Sequence, residues 1–178
     1  MAPFWDPDEV GAIFTGLTAA GVARVVRGIP GWQERVTPAI AALAHAGENA
    51  GAAEYVALLD RLTNFRWRVR DCFAGWDVLA TPTSATSGWP RTESIPATID
   101  GQPAHPRAAA SFSTAVNAAG LPAISIPAPV PSGTLPAGLQ LVGPPGGDEM
   151  LLDLVAAYEA ASSWRPLAAF PSHDSGAP

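Results

Sequence analysis

Two short alternating apolar segments, separated by a turn, constrain the fold of this chain most strongly. Residues 121–127 place Ile124 and Ile126 on one face, and residues 137–142 alternate in the same way. The connection includes Pro-Ser-Gly at residues 131–133, a composition typical of a chain reversal. We therefore expect the two segments to pair as neighbouring antiparallel strands.

Segments with helical periodicity lie before and after these strands in the sequence. Apolar spacing and terminal residues predict five helices, over residues 7–20, 38–46, 52–74, 107–119 and from near Asp148 to Pro166. Pro7 suits the first turn of the first helix, and Asp8 and Glu9 favour its positive end. Thr37 is the expected N-cap of the second helix, and Gly120 is the expected C′ residue of the fourth. Asp148 is the expected N-cap of the fifth.

Three of these helices have a clear apolar face that we expect to point inward. Those faces comprise Val10, Ile13, Phe14 and Leu17; Tyr55, Val56, Leu58, Leu59, Leu62, Phe65, Val69 and Phe73; and Leu151, Leu152, Val155 and Tyr158. Cys72 lies in the third helix, where a small buried residue is favoured over a nucleophile because no histidine lies nearby in sequence.

A third strand and a long loop lie between the third and fourth helices. Residues 78–80 form a continuous apolar run, which suits a central strand buried on both faces. Thr81 precedes Pro82 and should end that strand. Residues 84–106 are rich in Pro, Ser, Thr and Gly and predict a surface loop. The prediction is one incomplete α/β domain over residues 1–170, with a loose tail over 171–178.

Composition narrows the function. The net charge is −6, which argues against a nucleic-acid partner or an anionic membrane. No segment is expected to have the uninterrupted apolar length needed to span a bilayer, so no membrane association is predicted. The single cysteine and the acidic N-terminal region favour a cytoplasmic protein. All ten basic residues are arginine, so the chain contains no lysine.

Motifs for metal, phosphate or serine chemistry are missing. His45, His105 and His173 lack any paired spacing, so no metal site is predicted. The segment GPPGGDE at residues 143–149 lacks the Lys–Ser/Thr of a phosphate loop and more simply turns the chain into a helix. There is no G-x-S-x-G elbow. The sequence therefore predicts neither a cofactor nor a complete catalytic constellation of its own.

The order of three segments resembles the C-terminal portion of an amidase signature family enzyme. These segments are FAGWDVLATPT, FSTAVNAAGLPAISIPAPVPSGTLPAGLQLVG and DEMLLDLVAAYEAASSW. The resemblance is most specific over residues 72–164. It implies part of a mixed β-sheet flanked by helices, and a hydrolase that acts on carbon–nitrogen bonds of amides.

The resemblance also implies a catalytic set that this chain lacks. The family uses a serine nucleophile, a second serine with a cis peptide bond and a lysine base, because a serine hydroxyl needs a neighbouring base to become a good nucleophile. The Gly/Ser-rich motif is missing, TSATSGW being the nearest string, and lysine is absent. No catalytic residue can be assigned. We expect a chain that is inactive alone, whose small amide substrate requires an N-terminal amidase segment or subunit carrying Ser and Lys.

Two other functions remain open at this stage. The chain can instead be a non-catalytic binding or interaction module derived from the same fold. A hydrolase that uses Ser, His and Asp from this chain alone is the least favoured hypothesis. Whether the chain is part of an amidase or a binding module, an isolated part of a sheet exposes apolar faces or unpaired strand edges. Self-association is therefore expected.

Residues of the substrate-pocket wall follow from the resemblance. The candidates are Thr81, Pro82, Thr83, Phe112, Asn117 and Gly120. The first three follow a predicted strand, where ligand crevices of open α/β sheets form, although they can also serve only to end that strand. Asn117 can bind backbone groups of its loop or contact substrate, and the loop role is favoured.

Overall fold

The computed structural model describes residues 5–105, 107–131 and 133–162, and all five predicted helices are present. They are α1 (Pro7–Val26), α2 (Pro38–Asn49), α3 (Ala52–Cys72), α4 (Ser111–Ala119) and α5 (Asp148–Ala161). Short 3-10 turns occupy Trp32–Glu34, Phe73–Gly75 and Ala108–Ala110. The predicted stop at Pro166, the tail after residue 170 and His173 lie outside the described residues.

Local side-chain chemistry explains where the first helices begin. The Asp6 carboxylate accepts a hydrogen bond from the Asp8 N–H at 2.9 Å, and Pro7 follows at the first helical position. Thr37 accepts from the Ile40 N–H at 3.4 Å, which confirms it as the N-cap of α2. Gly120 ends α4 with φ +68°, the left-handed conformation that favours glycine.

The expected cap of α5 is wrong by one residue. Asp148 is the first helical residue and the N-cap is Gly147, which offers no side-chain acceptor. The Gly147 N–H instead bonds the Pro144 carbonyl at 2.9 Å, so a glycine turn leads directly into the helix. Asp148 and Glu149 still favour this end through the helix dipole.

The expected antiparallel pair is confirmed, with the third strand added on one side. The main sheet has the order β1 (Leu79–Pro82), β5 (Gly138–Val142) and β4 (Ala123–Pro127), and both pairings are antiparallel. Within the loop predicted over residues 84–106, β2 (Thr98–Ile99) and β3 (Gln102–Pro103) form a short hairpin. The α/β class is confirmed: α5 packs on one face of the sheet, and the described part of the sheet implied as mixed is antiparallel.

The prediction of a central β1 is wrong within the described residues. β1 lies at the edge of the three-stranded sheet and is half-buried on alternate residues only, rather than buried on both faces. It also continues through Pro82 instead of ending at Thr81. Proline is tolerated because an edge strand can leave its missing N–H on the unpaired side.

The buried side chains form three clusters. One joins α1, α3 and α4 around Ile13, Phe65 and Ala115. A second packs Ile126 and Leu141 of the sheet against α5. A third surrounds Trp32 and Ala44, between the end of α1 and α2.

Four expected core residues are instead exposed. Tyr55, Val56 and Leu59 in the first half of α3 and Leu152 in α5 are each more than a third exposed, and Leu152 reaches 61%. The apolar periodicity is real, but no described element covers these four side chains, although Leu58 of the same part of α3 packs beside Gly16 of α1. Phe65 and Val69 in the second half of α3 are buried as expected.

The length of α1 corrects one expectation. Its 20 residues are long and apolar enough, by length and composition, to cross a membrane. Core helices of soluble proteins and signal sequences share those properties, so they do not assign α1 to a bilayer. In this structure α1 packs against α2, α3 and α4.

Candidate functional site

A row of polar side chains crosses the sheet where β1 ends. The antiparallel register places Gln140 of β5 opposite Thr81 on one side and Ser125 on the other. The Gln140 amide donates to the Thr81 hydroxyl at 3.0 Å. The hydroxyls of Thr83 and Ser125 lie 2.6 Å apart. These four side chains, from three strands and the residue after β1, are the polar row.

The pleat of the sheet explains why these residues meet. Side chains alternate between faces, so the register that directs Ile126 and Leu141 toward α5 sends Gln140 and Ser125 to the opposite face. Gly138 provides the space, since a Cβ there would lie 2.5 Å from the Thr83 hydroxyl oxygen. The backbone N–H of Thr83 also donates to the Gly138 carbonyl at 2.9 Å.

The polar row can position a ligand but has no base to move a proton. Gln140 is only 6% exposed, and its amide is used to bind Thr81. Ser125 is exposed and Thr83 is half-buried, and both offer hydroxyls that donate and accept. In the part of the chain that the structure describes, no carboxylate, imidazole or guanidinium bonds these hydroxyls. Pro82 is exposed on the other face of β1.

The residues expected near α4 are only partly associated with this row. Phe112 is half-buried near the start of α4, and Gly120 forms the turn that ends it. The segment before α4 is tied to the end of β1, because the Ser84 hydroxyl and the Ala85 N–H both donate to the Ala109 carbonyl, at 3.2 and 3.1 Å. The structure thus brings the two sets to adjoining segments without a hydrogen bond between them.

The loop-holding role favoured for Asn117 gains no support from the hydrogen bonds of the described residues. Its side chain is exposed, and its backbone carbonyl is the group that accepts, from the Gly120 N–H at 3.2 Å. The left-handed glycine therefore closes the helix by itself, and the amide of Asn117 is not needed for the turn.

A cleft that no sequence pattern indicated adjoins the start of α4. This cleft has a volume of about 670 Å³ and lies between α1, α2, His105 and residues 107–114. Phe14, Leu43, His105 and Arg107 are among its lining residues. The Arg107 guanidinium carbon lies 4.3 Å from the centroid of the Phe14 ring. These two residues lie far apart in sequence and share no motif, so only the fold reveals the pair.

The described residues do not form a metal-binding cluster. Over residues 5–105, 107–131 and 133–162, no three His, Cys, Asp or Glu side chains are grouped as ligands. Cys72 is half-buried, and its thiol donates to the Arg68 carbonyl at 3.3 Å. That contact is an ordinary one for a cysteine at the end of a helix.

Comparisons with known proteins identify the fold and the family. The chain resembles a solved structure described as an amidase, with a TM-score of 0.75 and 22% identity over 85% of this chain and 35% of that chain. It also resembles a bacterial aryl acylamidase of the amidase signature family, with a TM-score of 0.74 and 21% identity over 92% of this chain and 37% of that chain. At such identities the likeness shows the fold.

Sequence similarity adds a curated relative and a family model. A glutamyl-tRNA(Gln) amidotransferase subunit from Azoarcus sp. (strain BH72) is 39% identical over 92 residues, which are 52% of this chain and 18% of that protein. This chain therefore matches less than a fifth of that relative's length. The family model described as Amidase matches residues 29–152. The chain belongs to the amidase family.

Proposed function

We propose that this chain supplies scaffold and substrate-pocket wall to a hydrolase that cleaves carbon–nitrogen bonds of small amides, and that it is the C-terminal part of that enzyme. On this proposal the chain has no hydrolytic activity by itself. Activity requires an N-terminal amidase segment or subunit that carries the serine nucleophile and the lysine base. No cofactor enters the reaction.

The absence of lysine from the 178-residue sequence is the observation that carries this proposal. A serine hydroxyl attacks an amide only when a base accepts its proton, and a desolvated lysine can do so once its pKa falls. Arginine cannot replace it, because its guanidinium stays protonated. The polar row of Thr81, Thr83, Ser125 and Gln140 likewise has hydroxyls without a base.

The polar row is the part of the pocket wall that we assign to this chain. Ser125 is exposed and Thr83 is half-buried at the end of the sheet, and their paired hydroxyls can accept from an amide N–H or donate to a carbonyl oxygen. Amide binding in the completed enzyme would use these groups for orientation, while the proton transfers belong to the partner segment.

The proposal of a partner chain agrees with the name of one relative, which is a subunit of a larger enzyme. The relative from Azoarcus is named as a subunit of an amidotransferase. We place the assembled enzyme in the cytoplasm, since the single cysteine leaves no pair for an internal disulfide. A neighbouring reading frame that encodes a Gly/Ser-rich run and a lysine would support the split enzyme.

Labelling with a serine-reactive fluorophosphonate tests the absence of an activated serine. We expect no covalent adduct on the purified chain by intact-protein mass spectrometry, and an adduct on the partner segment when the two are mixed. Ser125→Ala should leave both results unchanged. A single stoichiometric adduct on the lone chain would overturn the proposal.

A further inference from the structure

We propose that the cleft between α1, α2, His105 and residues 107–114 binds organic carboxylates with an apolar body, and that Arg107 is the ligand of the carboxylate. This site is separate from the polar row and does not depend on amide hydrolysis. The described lining residues come from α1, α2, α4 and the segment before α4.

The size and lining of the cleft suit a small molecule. Its volume of about 670 Å³ falls within the range of about 300–1,000 Å³ typical of ligand sites. Val10 is 2% exposed and belongs to the core beneath the cleft, and Phe14 packs beside it. The apolar body of a ligand would therefore displace water from the side of α1 that faces the cleft.

Arg107 supplies a positive charge that has no acidic partner among the described residues. The two ion pairs found in the described ranges join His45 to Glu48 and Arg68 to Glu9, and neither includes Arg107. Its guanidinium lies over the face of Phe14. The proposed contact uses the N–H groups of this guanidinium, in the planar fork that matches a carboxylate.

His105 adds a second donor close to Arg107 in the chain. Its Nδ1 accepts from the Arg107 backbone N–H at 3.2 Å, so the neutral ring carries its proton on Nε2. The hydroxyls of Ser111 and Thr114 in the lining donate to backbone carbonyls at 2.6 and 2.8 Å. Their protons are already used, so selection for an anion rests on Arg107 and His105.

The acidic residue of the lining lies away from this charge along α1. Asp8 is in the first turn, six residues before Phe14. The helical rise places the two Cα positions about 9 Å apart along the axis. The positive end of the α1 dipole partly offsets the negative charge of Asp8.

Isothermal titration of the purified 178-residue chain tests the site. The ligands are 4-phenylbutyrate and its uncharged analogue 4-phenylbutyramide. We expect saturable binding of the acid with one site per chain, and at least about tenfold weaker binding of the amide. That ratio is the size expected for losing a charge-assisted hydrogen bond.

Three variants locate the binding. Arg107→Met keeps an apolar stem over Phe14 and should weaken the acid at least about tenfold while leaving the amide unchanged. Arg70→Met is the matched control, because Arg70 also lies over an aromatic ring, Trp67, but outside the cleft. Gly11→Leu should abolish binding of both ligands with helicity retained, since a Cβ at this cleft-lining glycine meets no atom within 4 Å.

Several results would overturn this inference. They are the absence of saturable acid binding, equal affinity for acid and amide, or unchanged acid affinity in Arg107→Met. Binding that survives in Gly11→Leu would place the ligand elsewhere and would also overturn it. Circular dichroism of each variant establishes that the fold is intact before titration.

Discussion

The hydrogen bond from the Gln140 amide to the Thr81 hydroxyl joins two strands at the polar row. We expect Thr81→Val to lower the free energy of unfolding by about 1–3 kcal/mol, because a buried amide loses its acceptor. Valine suits a strand and keeps the side-chain shape, so the hydroxyl is the main change. Urea unfolding followed by circular dichroism measures the difference.

A second variant and a control separate the hydrogen bond from other effects. Adding Gln140→Leu to Thr81→Val should recover much of the loss, since removing both partners leaves no unsatisfied group. Thr63→Val changes a hydroxyl on the exposed side of α3 and should have a smaller effect than Thr81→Val. Thr81→Val with wild-type stability would contradict this role of the hydrogen bond.

Residue identity predicted some contacts well and others poorly. The caps at Thr37 and Gly120 were predictable because each depends on a local backbone geometry that few residue types satisfy. The polar row was only half predicted: Thr81 and Thr83 were named, while Gln140 and Ser125 depend on strand register. The role favoured for Asn117 gained no support, because the Gly120 turn closes through backbone groups.

Close approach of α1 and α2 depends on Gly47. A Cβ at this position would overlap the backbone carbonyl of Ala19, which cannot move unless the helices separate. We expect Gly47→Ala to lower the free energy of unfolding by about 1–3 kcal/mol, as overpacking usually does. Thermal and urea unfolding of the purified variant measure this loss.

Gly21→Ala is the matched control for Gly47→Ala. Gly21 lies inside α1, and a Cβ there would meet no atom within 4 Å. Alanine should therefore stabilise the chain by about 0.5–1 kcal/mol through helix propensity. Equal effects of the two substitutions, in either direction, would show that the packing of α1 on α2 differs from the one described.

Periodicity predicted which helices and strands exist, but not what covers them. The spacing of α3 placed Val56 and Phe65 on one apolar face, yet Val56 is 55% exposed and Phe65 is 1% exposed. The difference is the presence of neighbouring elements, which a pattern along one helix does not encode. The position of β1 at the sheet edge has the same origin, since residues 78–80 specify a strand and not its neighbours.

Exposed apolar side chains make association the expected behaviour of the isolated chain. Tyr55, Val56 and Leu59 are exposed along the first half of α3, and β1 and β4 form the two edges of the described three-stranded sheet. We predict a melting temperature that depends on protein concentration and a mass by light scattering that rises above 18.3 kDa.

A charged substitution on α3 tests whether the exposed apolar face causes the association. Val56→Glu should reduce association at equal protein concentration, because it places a charge on the exposed apolar face without disturbing the core. Two-state unfolding of a clean monomer at a temperature independent of concentration would contradict the prediction of association.

Function could be predicted to the level of the family and no further from the sequence. The three segments around residues 73–83, 112–143 and 148–164 carry the amidase resemblance, and the family match over residues 29–152 confirms the family and includes the first two segments. The cleft was missed, because Phe14 and Arg107 meet only after α1 packs against α4.

Hydrolysis of a simple carboxamide by the purified chain, with and without a complementary N-terminal amidase segment, tests the requirement for a partner's lysine. We predict ammonia release at the uncatalysed rate from the chain alone. The mixture should release ammonia well above the rate of either component, and a lysine variant of the added segment should remove that gain. Amide turnover by the 178-residue chain alone, proportional to its concentration and retained through further purification, would contradict the proposal.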